Sequence, residues 1–221
     1  MIAHEIVSKA LEPFNNIDWD DMHTVNVESD RLLRHLNNPS LLRELVLSLY
    51  DDERLQGMCE HFDHFDKLVL HKCEQTDTRL RMHIFGDKFV EEAHNHRHCF
   101  SSYIIRGEYI HYIHGSEDAG DQSDRSRVQV PIIVQHQLED SCYSLHHSAI
   151  HSNYAEPNTI SLVLAGPAKR EYFRIVDKET GEFRIRYGNE KKPGIQEKGE
   201  ARVGKEELDH IVEILEEKEV I

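Results

Sequence analysis

The sequence predicts a mainly β chain, an antiparallel sandwich or barrel flanked by N-terminal helices and a C-terminal helix. Three observations predict it. The apolar period is helical up to about residue 63 and shifts toward two beyond Phe65. From there to about residue 188, short apolar runs recur between polar turns, the pattern of many short strands sharing one core. The last residues return to a helical stripe, Leu208, Ile211, Val212 and Leu215, on a highly charged segment.

In chain order, Ile2, Ile6, Val7, Ala10 and Leu11 recur at helical spacing. Ser29 is placed to cap a turn through Leu32, Leu33 and Leu36, Ser40 to cap Leu41 to Tyr50, and a short helix is expected around Glu53 to Phe62. Expected strands are Lys67 to Cys73, Thr78 to Phe85, His94 to His96, Phe100 to Ile113, Val128 to His136, Cys142 to Leu145, Thr159 to Leu164, Glu171 to Val176 and Phe183 to Tyr187. The last two flank Lys178 to Glu182, where Gly181 supplies the positive φ of a hairpin loop. Gly115 to Arg127 reads as a polar loop and Asn189 to Gly204 as a linker rich in Gly, Lys and Glu. The organisation is therefore a helical segment over 1–63 packed on a barrel over 64–188, a linker over 189–204 and a helix over 205–221. The terminal stripe is expected to dock on its own domain, with a homodimer contact through it or an edge strand as the other use.

The 221 residues carry 41 acidic and 26 basic side chains, a formal charge of −15. Neutralising phosphates needs a basic face, so a nucleic-acid partner is excluded. No apolar run approaches the roughly 20 residues of a membrane span, and charges interrupt the N-terminus where a signal peptide needs an apolar stretch. Cys59, Cys73, Cys99 and Cys142 are scattered without CxxC spacing, so free thiols in the reducing cytoplasm are expected.

The unusual count is 17 histidines. In EEAHNHRHCFSSYIIRGEY, His94, His96 and His98 stand two apart, so on an extended chain all three project to one face. Neutral imidazoles suit iron, zinc, copper or nickel, and a His-x-His pair on a strand supplies two ligands to one ion. A catalytic centre needs a third protein ligand and open positions for water or substrate. A second histidine-bearing segment, HHSAIHSNYAEPNTISLVLAGP, precedes another apolar strand.

Here the sequence resembles the cupin superfamily, whose first motif runs HxH, three or four residues, Glu, six residues, Gly, and whose second has a lone His followed at four residues by Asn. His94, His96 and Gly107 match the first motif with Phe100 at the Glu position. His151 matches the second with Ala155 in place of Asn. The resemblance implies a cupin-type antiparallel β-barrel, the double-stranded β-helix or jelly roll, holding one divalent metal on His94, His96 and His151 with no carboxylate. A three-histidine site is similar to that of the cysteine dioxygenase family of thiol dioxygenases, and this likeness spans roughly residues 40 to 176. It implies a basic side chain from an early strand gripping a substrate carboxylate, for which Lys67, Arg79 and Arg81 are the candidates. The family's outer Ser-x-His-x-Tyr series falls on Ser161, Val163 and Ala165, so only its Ser is kept.

Among the neighbours, His98 shares the ligand face and is a candidate fourth ligand or proton-handling group; a bulge or a supporting role is the alternative. Cys99 has opposite parity, that of a buried thiol. The family's comparable His-Cys-Phe string implies a redox or crosslinking role for it, but the Tyr needed for a crosslink is replaced by Ala165. Tyr103, Tyr109 and Tyr112, on the strand after the motif, are candidate pocket residues, Tyr103 foremost, and Arg106 shares the face of His96 and is a candidate anion binder. The leading expectation is a mononuclear non-haem Fe(II) oxygenase acting with O₂ on a small amino-acid- or thiol-like molecule. The alternatives are a zinc or nickel cupin performing a non-oxidative rearrangement or nitrogen–nitrogen bond formation, and a small-ligand-binding module without catalysis.

Overall fold

Two antiparallel sheets with helices at both ends make up what the computed structural model describes, namely residues 2–12, 17–116, 130–177, 179–188 and 201–221. The chain opens with α1 (Ile2–Leu11), α2 (Met22–Leu36), α3 (Pro39–Leu47) and the single turn α4 (Glu53–Gln56). The helix starts differ from those expected. Asp21 caps α2 by accepting from the His23 N–H, so Ser29 lies in mid-helix with its side chain buried against the core. Asn38 caps α3 because Pro39 fits the first helical position, which puts Ser40 one residue inside.

The strands follow as β1 (Glu60–His61), β2 (Phe65–Lys72), β3 (Arg79–Phe85), β4 (Phe89–Val90), β5 (Phe100–Arg106), β6 (Tyr109–Ser116), β7 (Ile133–Gln137), β8 (Cys142–Leu145), β9 (Ala149–Ala155), β10 (Ile160–Ala165), β11 (Tyr172–Val176), β12 (Phe183–Tyr187) and β13 (Ala201–Arg202). Helix α5 (Lys205–Glu217) ends the chain. The larger sheet has the order β13-β1-β2-β3-β10-β5-β8 and the smaller β4-β9-β6-β7, with β11 and β12 as a separate hairpin. This is the mainly β architecture of antiparallel sheets with flanking helices that the sequence predicts.

Strand parity decides what each face of the larger sheet does. Leu68, Leu70, Leu80, Met82, Leu162 and Leu164 point to one side, where they join the helical leucines and Leu208, Ile211 and Leu215 of α5 in the main apolar core. The terminal stripe thus docks on its own domain. The opposite face carries Arg81, His83, Ser102 and Val163 toward the smaller sheet. There Phe85, Ile104, Tyr109 and Ala155 close the gap between sheets, and the Tyr109 hydroxyl lies 2.8 Å from Ser161 Oγ. Covering one face with helices leaves the other free to be polar, because the main core no longer depends on it.

Several boundaries differ from expectation. Phe100 to Ile113 is two strands, broken at Gly107, which adopts φ +80°. His94 to His96 forms only an isolated bridge, while β9, which carries His151, is an unpredicted strand. Residues 117–127 of the expected loop and 128–129 of the expected strand lie outside the described residues, as do 189–200 of the expected linker, while Gly115 and Ser116 belong to β6. Ala201 and Arg202 are not linker but pair with β1, and Val203 is buried. Gly181 has the expected positive φ of 70°, its N–H donating to the Asp177 carbonyl. A Cβ on Gly107 would sit 2.6 Å from Thr159 Oγ1 and 2.9 Å from Thr159 Cα. Gly107→Ala is therefore expected to cost about 2–4 kcal/mol, combining left-handed strain with overpacking, read as a lower urea midpoint. Among the described residues no helix is long and apolar enough to cross a membrane.

Candidate metal centre

The segment from Ala93 to His96 is held by partners on both sides, with a bend at Arg97 and His98 before β5. His94 and His151 exchange both backbone hydrogen bonds, each 2.8 Å, forming an antiparallel pair that sets their side chains next to each other. The Asn95 N–H donates to the Arg174 carbonyl, the Asn95 side-chain oxygen accepts from the Arg174 N–H at 2.7 Å, and the His96 N–H donates to the His147 carbonyl. With the backbone pinned, alternate side chains divide. His94, His96, His98, Phe100 and Ser102 line the barrel interior, whereas Cys99 and Tyr103 join the helix-side core.

Ligand atoms of His94, His96 and His151 all lie within 4.8 Å of one another, so the three can hold one metal ion. Their tautomers are arranged for it. His94 Nδ1 lies 2.8 Å from the Glu92 carbonyl, an acceptor only, so Nδ1 carries the proton and Nε2 is the donor nitrogen. His151 Nδ1 lies 3.0 Å from His111 Nε2, which leaves His151 Nε2 to face His96 Nε2 at 2.7 Å. A cation suits these two convergent nitrogens, and the all-imidazole donor set fits iron, zinc or nickel. Burial holds His96 and His151 well below the ordinary imidazole range, so both are neutral, the ligating form, at pH 7. Phe100 sets its ring beside them, 4.6 Å from that of His96 between centroids, offering no donor.

Beside these ligands is a cavity of about 60 Å³. One water needs roughly 10–15 Å³ on this measure, so the space takes a few waters or a small polar ligand. Sequence reasoning missed several of its walls. His83 shares the parity of Arg81 on β3, and its Nε2 is buried with no hydrogen-bond partner among the described residues. Glu91 is an acid inside the barrel; its Oε2 accepts from the Asn153 N–H at 3.2 Å, and burial pushes its carboxyl up. Tyr143 was also missed, whereas Tyr109 was among the expected pocket tyrosines; the two complete the polar wall, both phenols raised by burial. His111 supports His151 and stacks near Tyr143 with ring centroids 4.6 Å apart. Alternation of polar residues on β3 and β6 was the available signal, but the same alternation describes a solvated strand face.

Of the basic candidates only Arg81 lines the cavity, with Nη1 3.4 Å from His98 Nε2. Among the described residues no carboxylate pairs with Arg81, and burial, then Arg79, lowers its guanidinium to about 10, still cationic at pH 7. His98 also lines the cavity but is not grouped with the three ligands. The remaining expectations are corrected by geometry. Lys67 is ion-paired with Glu60 and set over the Phe62 ring at 5.6 Å, and Arg79 is held by Asp77 at 3.0 Å. Arg106 is exposed at its strand end and donates to the Lys218 carbonyl. Tyr103 has outward parity and donates to Asp140 Oδ1 at 2.6 Å. Cys99 is fully buried on the outward side, away from the cavity.

Burying so many neutral imidazoles ties stability to pH. His111, held at about 4 by burial, binds its proton far less readily folded than unfolded, where its value is near 6.5. Its contribution is therefore complete above about pH 6.5 and lost as pH falls toward 4, about 3 kcal/mol for this group alone. His83, likewise depressed by burial, acts in the same direction. Metal-free protein is expected to show a urea midpoint that declines steadily below pH 6.5; a flat midpoint down to pH 5 contradicts this.

No protein-family model and no curated protein matches the sequence. Solved structures with a similar chain include KdgF from a Halomonas species, 13% identical over 48% of this chain and 82% of that one, with a TM-score of 0.36. An acetylacetone dioxygenase from Acinetobacter johnsonii is 10% identical over 57% and 71%, TM-score 0.36. An ectoine synthase from P. lautus is 11% identical over 54% and 75%, TM-score 0.39. At these identities the likeness carries no statement about activity.

Proposed function

We propose that this chain is a mononuclear non-haem Fe(II) oxygenase of the cupin superfamily, acting on a small anionic molecule of amino-acid or thiol type. The observation that carries the reading is the pairing, across one small cavity, of three convergent imidazoles with the unneutralised guanidinium of Arg81. His94, His96 and His151 would hold the metal, which when bound supplies open coordination positions and redox chemistry toward O₂. Arg81 binds and orients the substrate anion, as a planar fork suited to a carboxylate. His98, within reach of Arg81, and Glu91, kept protonated longer than an exposed acid, are the groups placed to hold or move a proton. Phe85, Phe100 and Val163 limit water on the apolar side. The free cysteines suit the reducing cytoplasm in which such a centre would keep Fe(II).

Anaerobic reconstitution with Fe(II), followed by oxygen uptake with small thiols and amino acids, tests the reading. Expected is substrate-dependent uptake that disappears when zinc replaces iron. A protein that binds only zinc and consumes no oxygen with any of them overturns it in favour of the redox-inactive alternative, for which the same donor set is suited.

A further inference from the structure

On the outward side of the same segment lies a second donor cluster, outside the cavity: Cys99 with His146 and His147. Ligand atoms of the three lie within 4.8 Å of one another. We propose that they form a second metal site, a structural one for zinc or a similar thiolate-seeking divalent ion. Each donor is already partly arranged. The His147 backbone N–H donates toward the Cys99 sulfur, and the two imidazoles lie against each other with centroids 4.1 Å apart. His146 Nδ1 is engaged by Ser148, with Oγ at 2.9 Å and N–H at 3.3 Å, leaving Nε2 as its ligating nitrogen. In a tetrahedral site with ordinary zinc–sulfur and zinc–nitrogen bonds, donors stand about 3.3–3.6 Å apart, so closing the cluster takes about an ångström of side-chain rotation. His146 and His147 are half-buried and can make it.

The chemistry differs from that of the first centre. One thiolate and two imidazoles favour a softer ion than three imidazoles, and binding would release the thiol proton. The Asp20 carboxylate is within electrostatic range of both histidines but is held by Lys169 at 2.7 Å, so the set is three protein ligands. Position argues for a structural role. The His147 carbonyl accepts the His96 N–H, and Cys99 stands three residues beyond His96, so an ion here fastens the turn before β9 to the segment that carries His94 and His96.

Titration of metal-free protein with Co(II) under anaerobic conditions distinguishes the sites, because a cobalt–thiolate bond adds a near-ultraviolet charge-transfer band. The wild type is expected to bind two equivalents, one of them with the band. His96→Ala should keep one equivalent and the band. His146→Ala and Cys99→Ser should keep one equivalent and lose the band. A wild type that takes one equivalent without the band overturns the proposal, as does a band that survives both His146→Ala and Cys99→Ser. If Cys99→Ser fails to fold, His146→Ala, on a half-buried turn residue, decides by the same readout.

Discussion

Alanine at His94, His96 or His151 is expected to abolish metal binding at the cavity while leaving the fold intact. The apparent free energy of a four-ligand protein zinc site is about 10–16 kcal/mol, so one ligand stands for about 3–4 kcal/mol, a loss of roughly 10²–10³ in affinity. With only three protein donors the remaining two cannot hold the ion against water. His98→Ala is the informative control, since His98 lies beside the ligands, 6.0 Å from His96 between ring centroids, yet belongs with Arg81. It should retain most of the binding. Calorimetric titration with Zn(II) at neutral pH, in a His146→Ala background that removes the second cluster, reads both outcomes, and equal losses in His98→Ala and His96→Ala would contradict the assignment.

Arg81→Met is the second large effect. A buried guanidinium without a carboxylate contributes little to stability and is desolvated at some cost, so an apolar residue of similar length leaves the urea midpoint unchanged or higher. Binding of a carboxylate is another matter. A charge-assisted hydrogen bond of about 1.5–3 kcal/mol corresponds to a rise in KM of roughly 10–150-fold. The comparison to make is between an acid and its neutral amide, with thiol-bearing pairs as probes. Wild-type protein should discriminate between them and Arg81→Met should not. Arg79→Met, which loses the contact with Asp77 outside the cavity, should discriminate as the wild type does. Loss of discrimination in Arg79→Met with retention in Arg81→Met would move the anion site elsewhere.

How far the sequence carried this picture depends on what each strand buries. The apolar side chains of β3 announce themselves because Leu80, Met82 and Ile84 alternate against Arg79, Arg81 and His83, and the change of period at Phe65 marks the start of the barrel. Strand β9 was illegible for the opposite reason. Its residues AIHSNYA include buried His151, Ser152 and Asn153, so polarity no longer marks solvent and the segment reads as a loop. The same inversion hid His83, Glu91 and His111, polar side chains turned inward around a site. Parity within the HxH segment was reliable because both edges of that segment are hydrogen-bonded; it separates His98 from Cys99 and Phe100 from Tyr103. Parity could not place Arg106, where the register shifts between Ile160 and Ser161 on the neighbouring strand. The two-residue strands β1, β4 and β13 leave no periodic trace at all, since pairing rather than pattern defines them.

The most direct measurement is anomalous scattering from crystals of the metal-loaded protein, collected at the absorption edge of the bound ion. A peak about 2.0–2.2 Å from one ring nitrogen of each of His94, His96 and His151, with Phe100 alongside and no carboxylate ligand, is the expected result. A loaded crystal with no peak among these three rings, or with an ion there held by Glu91 in place of one of them, would contradict a three-imidazole centre.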